Sequence, residues 1–427
     1  MTSNVRGVVV YIERTRLSSG ASVVTLNQVD DESLRAACTY NEENFARQYR
    51  SGFTPETDLE LAHQSWEAKG IPVWSDATYH RSAAENAQVV LDITERAESN
   101  GMLSSGFLET VGARVLNYRR DAWGRENREV GNTTMAQCST TVRHPKGVGS
   151  GWAGASSFDL PRIDLAKLGE VAFDKCLRSI DPVRIEPGRY QTILEPQAVA
   201  SFATHLFNEL NRELQERPGL PLYLAYDSAI ERHRSKLGLQ LMDRRLNITH
   251  DPDDPITGTH PERGMRKLEV VKDGVLTSMF TEYGDYALPE QTSPYYNSQR
   301  RSFVMRGTET TTVDEMISTM KRGLLVTRVS DMMELDRGSM LCTGFTRDGL
   351  WLIENGKITK AVRNFRWTES PLFVFNNVES VGEAVPVMNT FYDKWLFAGG
   401  LRNSAPSVVV PTLKINDFSF TSTIDAI

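Results

Sequence analysis

The sequence lacks the features that define several protein classes. Its 427 residues carry a formal net charge of −7 with no long basic run, whereas a general nucleic-acid binder usually has a basic surplus. No apolar run approaches the ~20 residues of a membrane-spanning helix, and no opening segment has the order of a signal peptide. The four cysteines form no CxxC pair, which is typical of a reducing compartment. We therefore expect a cytoplasmic protein that binds neither nucleic acid nor a membrane.

Signatures of catalysis are missing as well. The chain has no G-x-S-x-G elbow, and Cys342 lies in an apolar strand pattern, where a buried thiol would be inert. The Gly-rich segment Gly147–Ser157 does not lead directly into a helix, as a phosphate-binding loop does. It is more typical of a strand or turn beside Trp152. The sequence contains no independent catalytic constellation, and we predict no catalytic residue.

Helix and strand patterns of the α+β class are present. Before residue 185, two segments have helix composition and two alternate like strands. In chain order these segments are Ala83–Ser99, Gly101–Tyr118, Thr133–Arg143 and Asp164–Ile180. Pro182 and Pro187 then interrupt the pattern. This predicts an N-terminal α/β domain of residues 1–185 and a β-rich C-terminal domain of residues 186–427, and the length suits two domains.

The C-terminal half is mainly β, with one long helix and a shorter helix predicted at Val313 to Arg322. A strand at Tyr190–Leu194 precedes Pro196, which is well placed in the first turn of a helix that runs to about Glu216. That helix has an apolar stripe, which we expect to be buried. The stripe consists of Val199, Phe202, Leu206, Leu210 and Leu214.

The segment Gly323–Ser370 is the most informative part of the chain. It reads GLLVTRVSDMMELDRGSMLCTGFTRDGLWLIENGKITKAVRNFRWTES, a run of short strands joined by tight turns. Asn355-Gly356 lies between two apolar runs and predicts a type I′ hairpin, because both residues accept positive φ. Asp273-Gly274 predicts a second hairpin for the same reason.

The amino-acid sequence of this segment resembles that of the C-terminal domain of the TldD/PmbA (TldE) family, also called modulators of DNA gyrase. EPGRYQTILEPQAVASF at Glu186–Phe202 and APSVVVPTLKI at Ala405–Ile415 are similar to further family segments in the same order. The resemblance implies an N-terminal α/β layer with an antiparallel sheet and a barrel-like, β-rich C-terminal domain. The first hundred residues match poorly, which implies a shortened N-terminal layer or a start codon placed late.

Members of the TldD type carry an HExxxH motif on the helix that follows the strand matching Tyr190–Leu194. Histidines little more than a turn apart can bind one zinc ion, and the glutamate can deprotonate its water. Here the helix reads EPQAVASFATHLFNEL and has no His-Glu pair. The family's cysteine ligand is also missing, because Gly399–Ser404 contains no cysteine. The resemblance therefore points to the PmbA/TldE-like branch, with no metal ligand in this chain.

Two groups of residues offer a substitute metal site. His205 and Glu209 lie four residues apart on the helix, so their side chains could approach one ion, although we expect a solvated pair. His250 and His260 lie in THDPDDPITGTH, whose aspartates could bind a hard cation. The segment lacks an EF-hand pattern, and we expect an exposed polar loop there.

The resemblance implies a non-catalytic, TldE-like subunit of a zinc metallopeptidase complex. The substrate would be a peptide or an amide-containing natural-product intermediate. The partner would be a TldD-type catalytic subunit in a heterodimer, or a second copy in a homodimer. Zinc is expected in the TldD-type partner and no cofactor in this chain. Four polar residues are candidates for substrate contacts: Arg328, Arg347, Asn364 and Arg366. The same residues are equally consistent with exposed polar positions on strands.

Two alternatives remain open at this point. The first is a stand-alone hydrolase, either a peptidase or an N-deacylase (N-deacetylase), with a rearranged metal site. The second is a regulatory binding protein of DNA gyrase, to which the acidic balance of charge lends little support.

Overall fold

The computed structural model divides the chain into two compact units, Met1–Trp66 and Glu67–Ile427. It describes residues 10–16, 20–26, 30–48, 73–120, 126–210, 215–229, 232–251, 254–257, 267–279, 303–388 and 407–424. None of the helices in these ranges is both long and apolar enough to cross a membrane.

The first unit contains a hairpin and a helix. Strands β1 (Val10–Arg16) and β2 (Gly20–Leu26) pair antiparallel, and helix α1 follows at Asp31–Gln48. The helix begins where Asp30 accepts a hydrogen bond of 2.8 Å from the backbone N–H of Ser33, which satisfies one of the free N–H groups of the first turn.

The second unit opens with a layer of helices on an antiparallel sheet. Its helices are α2 (Asp76–Tyr79), α3 (Ala83–Ser99) and α4 (Leu165–Arg178), and its strands are β3 (Leu103–Arg120), β4 (Glu126–Arg143) and β5 (Ser150–Ser157). The strand order is β3-β4-β5. A capping box between Ser82 and Glu85 starts α3 at the predicted residue. The predicted antiparallel sheet of the N-terminal layer is confirmed.

The Gly-rich segment forms strand β5, as its sequence indicated. Helix α4 lies directly on this strand, and a Cβ atom at Gly151 would overlap the carbonyl oxygen of Ala172. Glycine is therefore needed for the close approach of helix and strand. Trp152 is buried, and its indole N–H donates a hydrogen bond of 2.9 Å to the Ser139 hydroxyl.

The rest of the second unit is β-rich. Its strands are β6 (Gly188–Leu194), β7 (Tyr223–Asp227), β8 (Arg232–Ser235), β9 (Leu246–His250), β10 (Leu268–Lys272), β11 (Val275–Leu276), β12 (Val304–Gly307), β13 (Arg322–Asp336), β14 (Leu341–Glu354), β15 (Lys357–Ala361), β16 (Phe365–Glu369), β17 (Val378–Met388) and β18 (Ser407–Thr423). Its helices are α5 (Pro196–Asn208), α6 (Val313–Ser318) and α7 (Pro371–Asn376).

Five of these strands close into a barrel, which confirms the predicted fold class. The order is β6-β13-β14-β16-β18, and β18 pairs with β6 to complete the ring. Only the β6–β13 pair in this ring is parallel. Helix α5 packs on the barrel through Phe202, whose ring centroid lies 4.9 Å from that of Trp367 and 5.9 Å from that of Phe418. All three side chains are fully buried.

Local details of the prediction are confirmed at the hairpins and corrected at two helix ends. Asn355 and Gly356 have φ of 48° and 75°, and Asp273 and Gly274 have the same pair of values, as type I′ turns require. The helix predicted to reach Glu216 ends at Asn208, and the one predicted at Val313 to Arg322 ends at Ser318. The predicted domain boundary at 185/186 falls between α4 and β6, inside the second unit, and stays a prediction.

Candidate functional site

Helix α5 occupies the position at which the family resemblance places zinc ligands. Glu195 has an extended backbone and Pro196 fills the first helical position, so the helix starts where proline is best tolerated. The predicted stripe is buried at all of its described positions: Val199, Phe202, Leu206 and Leu210. Leu214 lies outside the described residues. The helix is a core element, and only His205 and Glu209 on it resemble metal ligands.

Glu209 ends the helix and is not solvated. It is buried, and its carboxylate accepts a hydrogen bond of 2.7 Å from the Gln215 amide. The Arg337 guanidinium lies 3.2 Å from the same carboxylate. The expected solvated pair of His205 and Glu209 is therefore wrong. Both oxygens of Glu209 are held by donors of the protein, since Arg337 also lies 3.4 Å from the second one.

His205 is half-buried beside a different carboxylate. Its Nε2 atom lies 3.6 Å from Oε2 of Glu334 and has no hydrogen-bond partner among the described residues. Burial lowers the pKa of His205, although the nearby carboxylates of Glu334 and Glu209 act in the opposite direction. The imidazole is consequently held in its neutral form more strongly than in water.

The residues around α5 do not fit a zinc ion. Cys342, the thiol that the sequence analysis singled out, is buried, and burial raises its pKa to about 12, whereas zinc binds the thiolate. Its Sγ atom donates to the Met340 carbonyl oxygen at 3.4 Å. Among the residues that the structure describes, no group of three or more His, Cys, Asp and Glu side chains could hold a metal ion.

The second candidate segment is not an exposed loop throughout. His250 is buried at the end of β9, and the buried Asp254 accepts hydrogen bonds from the backbone N–H groups of Ile256 and Thr257. The Arg306 guanidinium lies 3.2 Å from the same carboxylate. The expectation of an exposed loop is wrong at these residues, because Asp254 organises the turn. His260 and the Gly399–Ser404 segment lie outside the described residues.

Three of the four predicted contact residues lie on one outer face of the barrel. In the β13–β14 ladder Arg328 is directly opposite Arg347, and Phe345 is opposite Ser330. In the β14–β16 ladder Phe345 is also opposite Arg366. We call this set, Arg328, Ser330, Phe345, Arg347 and Arg366, the arginine face.

Asn364 lies away from this face. It is buried, and its Oδ1 atom accepts a hydrogen bond of 2.9 Å from the Thr346 hydroxyl. It lines a cavity of about 280 Å³ between the end of α4 and the barrel, together with Ser150, Ser179 and Asp181. The structure therefore separates Asn364 from the arginines with which the sequence grouped it.

Two residues that the sequence analysis did not connect with Arg328 hold its guanidinium group in place. Asp348 is almost fully buried and lies 2.6 Å from the Arg328 Nε atom, and the Trp152 ring lies 4.7 Å from the guanidinium carbon. Asp348 also accepts a hydrogen bond of 2.9 Å from the Ser150 hydroxyl. Arg328 thus joins the barrel to β5. The Asp348-Gly349 pair, at which the register of β14 shifts and Asp348 has a φ of 54°, was the available sequence signal.

A comparison with known families agrees with this architecture. Residues 187–422 match the sequence model described as the PmbA/TldA metallopeptidase C-terminal domain. The chain belongs to the TldD/PmbA family. Among curated proteins, none matches the chain.

Solved structures of TldD/PmbA proteins share the fold. TldE from Thermococcus kodakarensis superposes with a TM-score of 0.71 at 14% identity, covering 97% of this chain and 90% of that one. A candidate modulator of DNA gyrase from Thermotoga maritima gives a TM-score of 0.70 at 13% identity, covering 97% and 89%. Another from Bacteroides thetaiotaomicron gives 0.65 at 17% identity, covering 95% and 86%. At these identities, the likeness concerns the fold alone.

Proposed function

We propose that this chain is the non-catalytic, TldE/PmbA-like subunit of a TldD/TldE-type zinc metallopeptidase complex. Its substrates would be peptides or amide-containing natural-product intermediates, and its compartment would be the cytoplasm. The TldD-type partner would carry the zinc ion. This chain would shape the partner's cleft and hold the substrate.

The residues of helix α5 and their contacts support this proposal. The family's barrel is retained, but the helix that bears HExxxH in the TldD type is packed here with apolar side chains. The two residues here that could act as metal ligands contact other groups. Glu209 contacts Arg337 and Gln215, and His205 lies beside Glu334. A catalytic zinc needs three protein ligands and an open position for water, and these residues cannot supply them together.

Co-expression with an HExxxH-bearing relative from the same genome tests the proposal. We expect the two chains to elute together in size-exclusion chromatography and to hydrolyse an unfolded peptide in a zinc-dependent reaction. Replacing the glutamate of the relative's HExxxH motif by glutamine should abolish hydrolysis without dissociating the complex. A relative that is fully active alone and never binds this chain would contradict the subunit assignment.

The stand-alone hydrolase makes a different prediction. It requires hydrolysis by the isolated chain, and that activity should disappear on His205→Ala if a rearranged site uses this imidazole. We expect no such activity, because among the described residues only the Glu334 carboxylate lies within ion-pair distance of the His205 Nε2 atom, at 3.6 Å.

A further inference from the structure

The arginine face places cations and an aromatic ring at neighbouring register positions on three adjacent strands. Ser330 of β13, Phe345 of β14 and Arg366 of β16 lie in one row, since Phe345 is opposite both of the others. Arg347 lies two positions along β14 from Phe345. Arg347 and Arg366 are therefore diagonal neighbours across the β14–β16 pair. Such neighbours lie about 7–8 Å apart, within reach of long side chains, so their two guanidinium groups can approach a single ligand.

The Phe345 ring holds the two arginines together. The guanidinium carbons of Arg347 and Arg366 lie 6.0 and 5.6 Å from the ring centroid, within the range of a cation–π contact. The Arg366 Nε atom also donates a hydrogen bond of 3.1 Å to the Thr343 hydroxyl. These contacts orient both side chains before any ligand binds, which reduces the entropy lost on binding.

The three arginines differ in how their charge is balanced. Arg328 is paired with the buried Asp348. Arg347 lies 3.6 Å from Asp331, whose side chain is 60% exposed, and such an exposed pair is weak. Arg366 is exposed and has no carboxylate within ion-pair distance among the described residues. Arg366 therefore leaves an exposed positive charge on this face, in a chain whose net charge is −7.

An apolar side chain borders these cations. Met333 of β13 is opposite Thr343 and is 64% exposed. An occupant with a negative group and an apolar neighbour would pair with the cations and cover the methionine.

We propose that Arg347 and Arg366, arranged around Phe345, form a binding site for a peptide carboxylate. The planar guanidinium matches a carboxylate with two parallel hydrogen bonds. The choice of a peptide as the occupant rests on the function proposed above. The carboxylate belongs either to an Asp or Glu side chain or to the end of the peptide chain, and the chemistry of recognition is the same for both.

Calorimetric titration of the isolated full-length chain with three synthetic peptides tests this site. The peptides are acetyl-Ala-Val-Met-Val-Ala with a free carboxylate, the same peptide as an amide, and the amide with Glu in place of the central Met. We expect at least one carboxylate peptide to bind about tenfold or more tightly than the neutral amide, because charged hydrogen bonds are the stronger ones. Binding should weaken as salt is raised.

Variants locate the site on the protein. Arg366→Gln and Arg347→Gln should each reduce carboxylate affinity about tenfold, and Arg366→Lys should reduce it less, since it keeps the charge but loses the fork. Lys360→Gln, at an exposed position of β15, is the matched control and should leave affinity unchanged.

The comparison of peptides on the unaltered protein needs no variant to fold. Equal binding of the amide and both carboxylate peptides, or no binding of any, would overturn the site. So would carboxylate binding that persists in the Arg347→Gln, Arg366→Gln double variant. Complex formation with the HExxxH-bearing relative is scored separately by chromatography, so the site can fail while the subunit assignment stands.

Discussion

The Arg328 guanidinium lies 2.6 Å from the carboxylate of Asp348, and Asp348 is only 1% exposed. The pair sits where β5 of the N-terminal layer meets the barrel, because Asp348 also binds the Ser150 hydroxyl. A buried carboxylate needs a partner of opposite charge, and Arg328 is that partner. The pair links the two layers of the second unit.

Replacing Asp348 by Asn should destabilise the protein through this link. The amide can still accept the Ser150 hydrogen bond, but it leaves the Arg328 cation without its partner. Removal of one member of a buried ion pair costs about 3–5 kcal/mol. Arg328 is 22% exposed and partly hydrated, so we expect a loss of about 2–3 kcal/mol, seen as a lower urea midpoint in circular dichroism.

Asp331→Asn is the control for that measurement. Its carboxylate is 60% exposed and lies 3.6 Å from Arg347, so its removal should change stability by less than about 0.5 kcal/mol. Midpoints are the quantity to compare, because a chain with two compact units need not unfold in one step. Equal midpoints for Asp348→Asn and the unaltered protein would contradict the proposed link.

His205 should make the folded state sensitive to acid. Burial lowers its pKa below the ordinary 6.5, so the unfolded chain binds this proton more readily than the folded one. Stability from His205 is fully present above about pH 6.5, and it declines as the pH falls toward the lowered pKa. The groups that face the imidazole are Glu334, Glu209 and Arg337.

Urea midpoints of the unaltered protein and of His205→Gln between pH 5 and 8 test this dependence. The difference between the two proteins should shift in favour of the variant as the pH falls below 6.5, since glutamine does not titrate. His233→Gln, at an exposed histidine, should follow the unaltered protein. Parallel curves for His205→Gln and the unaltered protein would show that the burial of His205 has no such effect.

The cysteines should divide sharply in reactivity. Cys38 is exposed, while Cys138, Cys176 and Cys342 are buried. Burial raises the pKa of Cys138 to about 11 and that of Cys342 to about 12, which removes the reactive thiolate. Ellman's reagent at pH 7.5 should titrate one thiol in the folded protein and all four in denaturant, and Cys38→Ser should abolish the native signal. A second fast thiol would contradict the burial.

Features set by neighbouring residues could be predicted from the sequence. The Asn355-Gly356 turn depends only on two residues that tolerate positive φ. Helix α3 begins at Ala83 because Ser82 and Glu85 form a capping box within one turn. The barrel was predicted from the sequence resemblance to the family. It could not be predicted from hydrophobic periodicity, because periodicity does not reveal the order in which short strands pair in a closed sheet.

The surroundings of α5 could not be predicted, because they come from distant parts of the chain. Arg337, which binds Glu209, lies 128 positions away, and no local pattern marks the pair. The same holds for Arg328, whose place beside Asp348 depends on a register shift between Val326 and Arg328. A shift of one residue turns a side chain to the other face of a strand.

Zinc content tests the central claim most directly. The purified chain, its complex with the HExxxH-bearing relative, and that relative alone should be dialysed against buffered zinc and analysed by mass spectrometry. We predict no stoichiometric zinc in this chain alone and about one zinc ion per heterodimer, as expected for a single catalytic site. Stoichiometric zinc in the isolated chain, lost on His205→Ala, would contradict the assignment of this chain as the non-catalytic subunit.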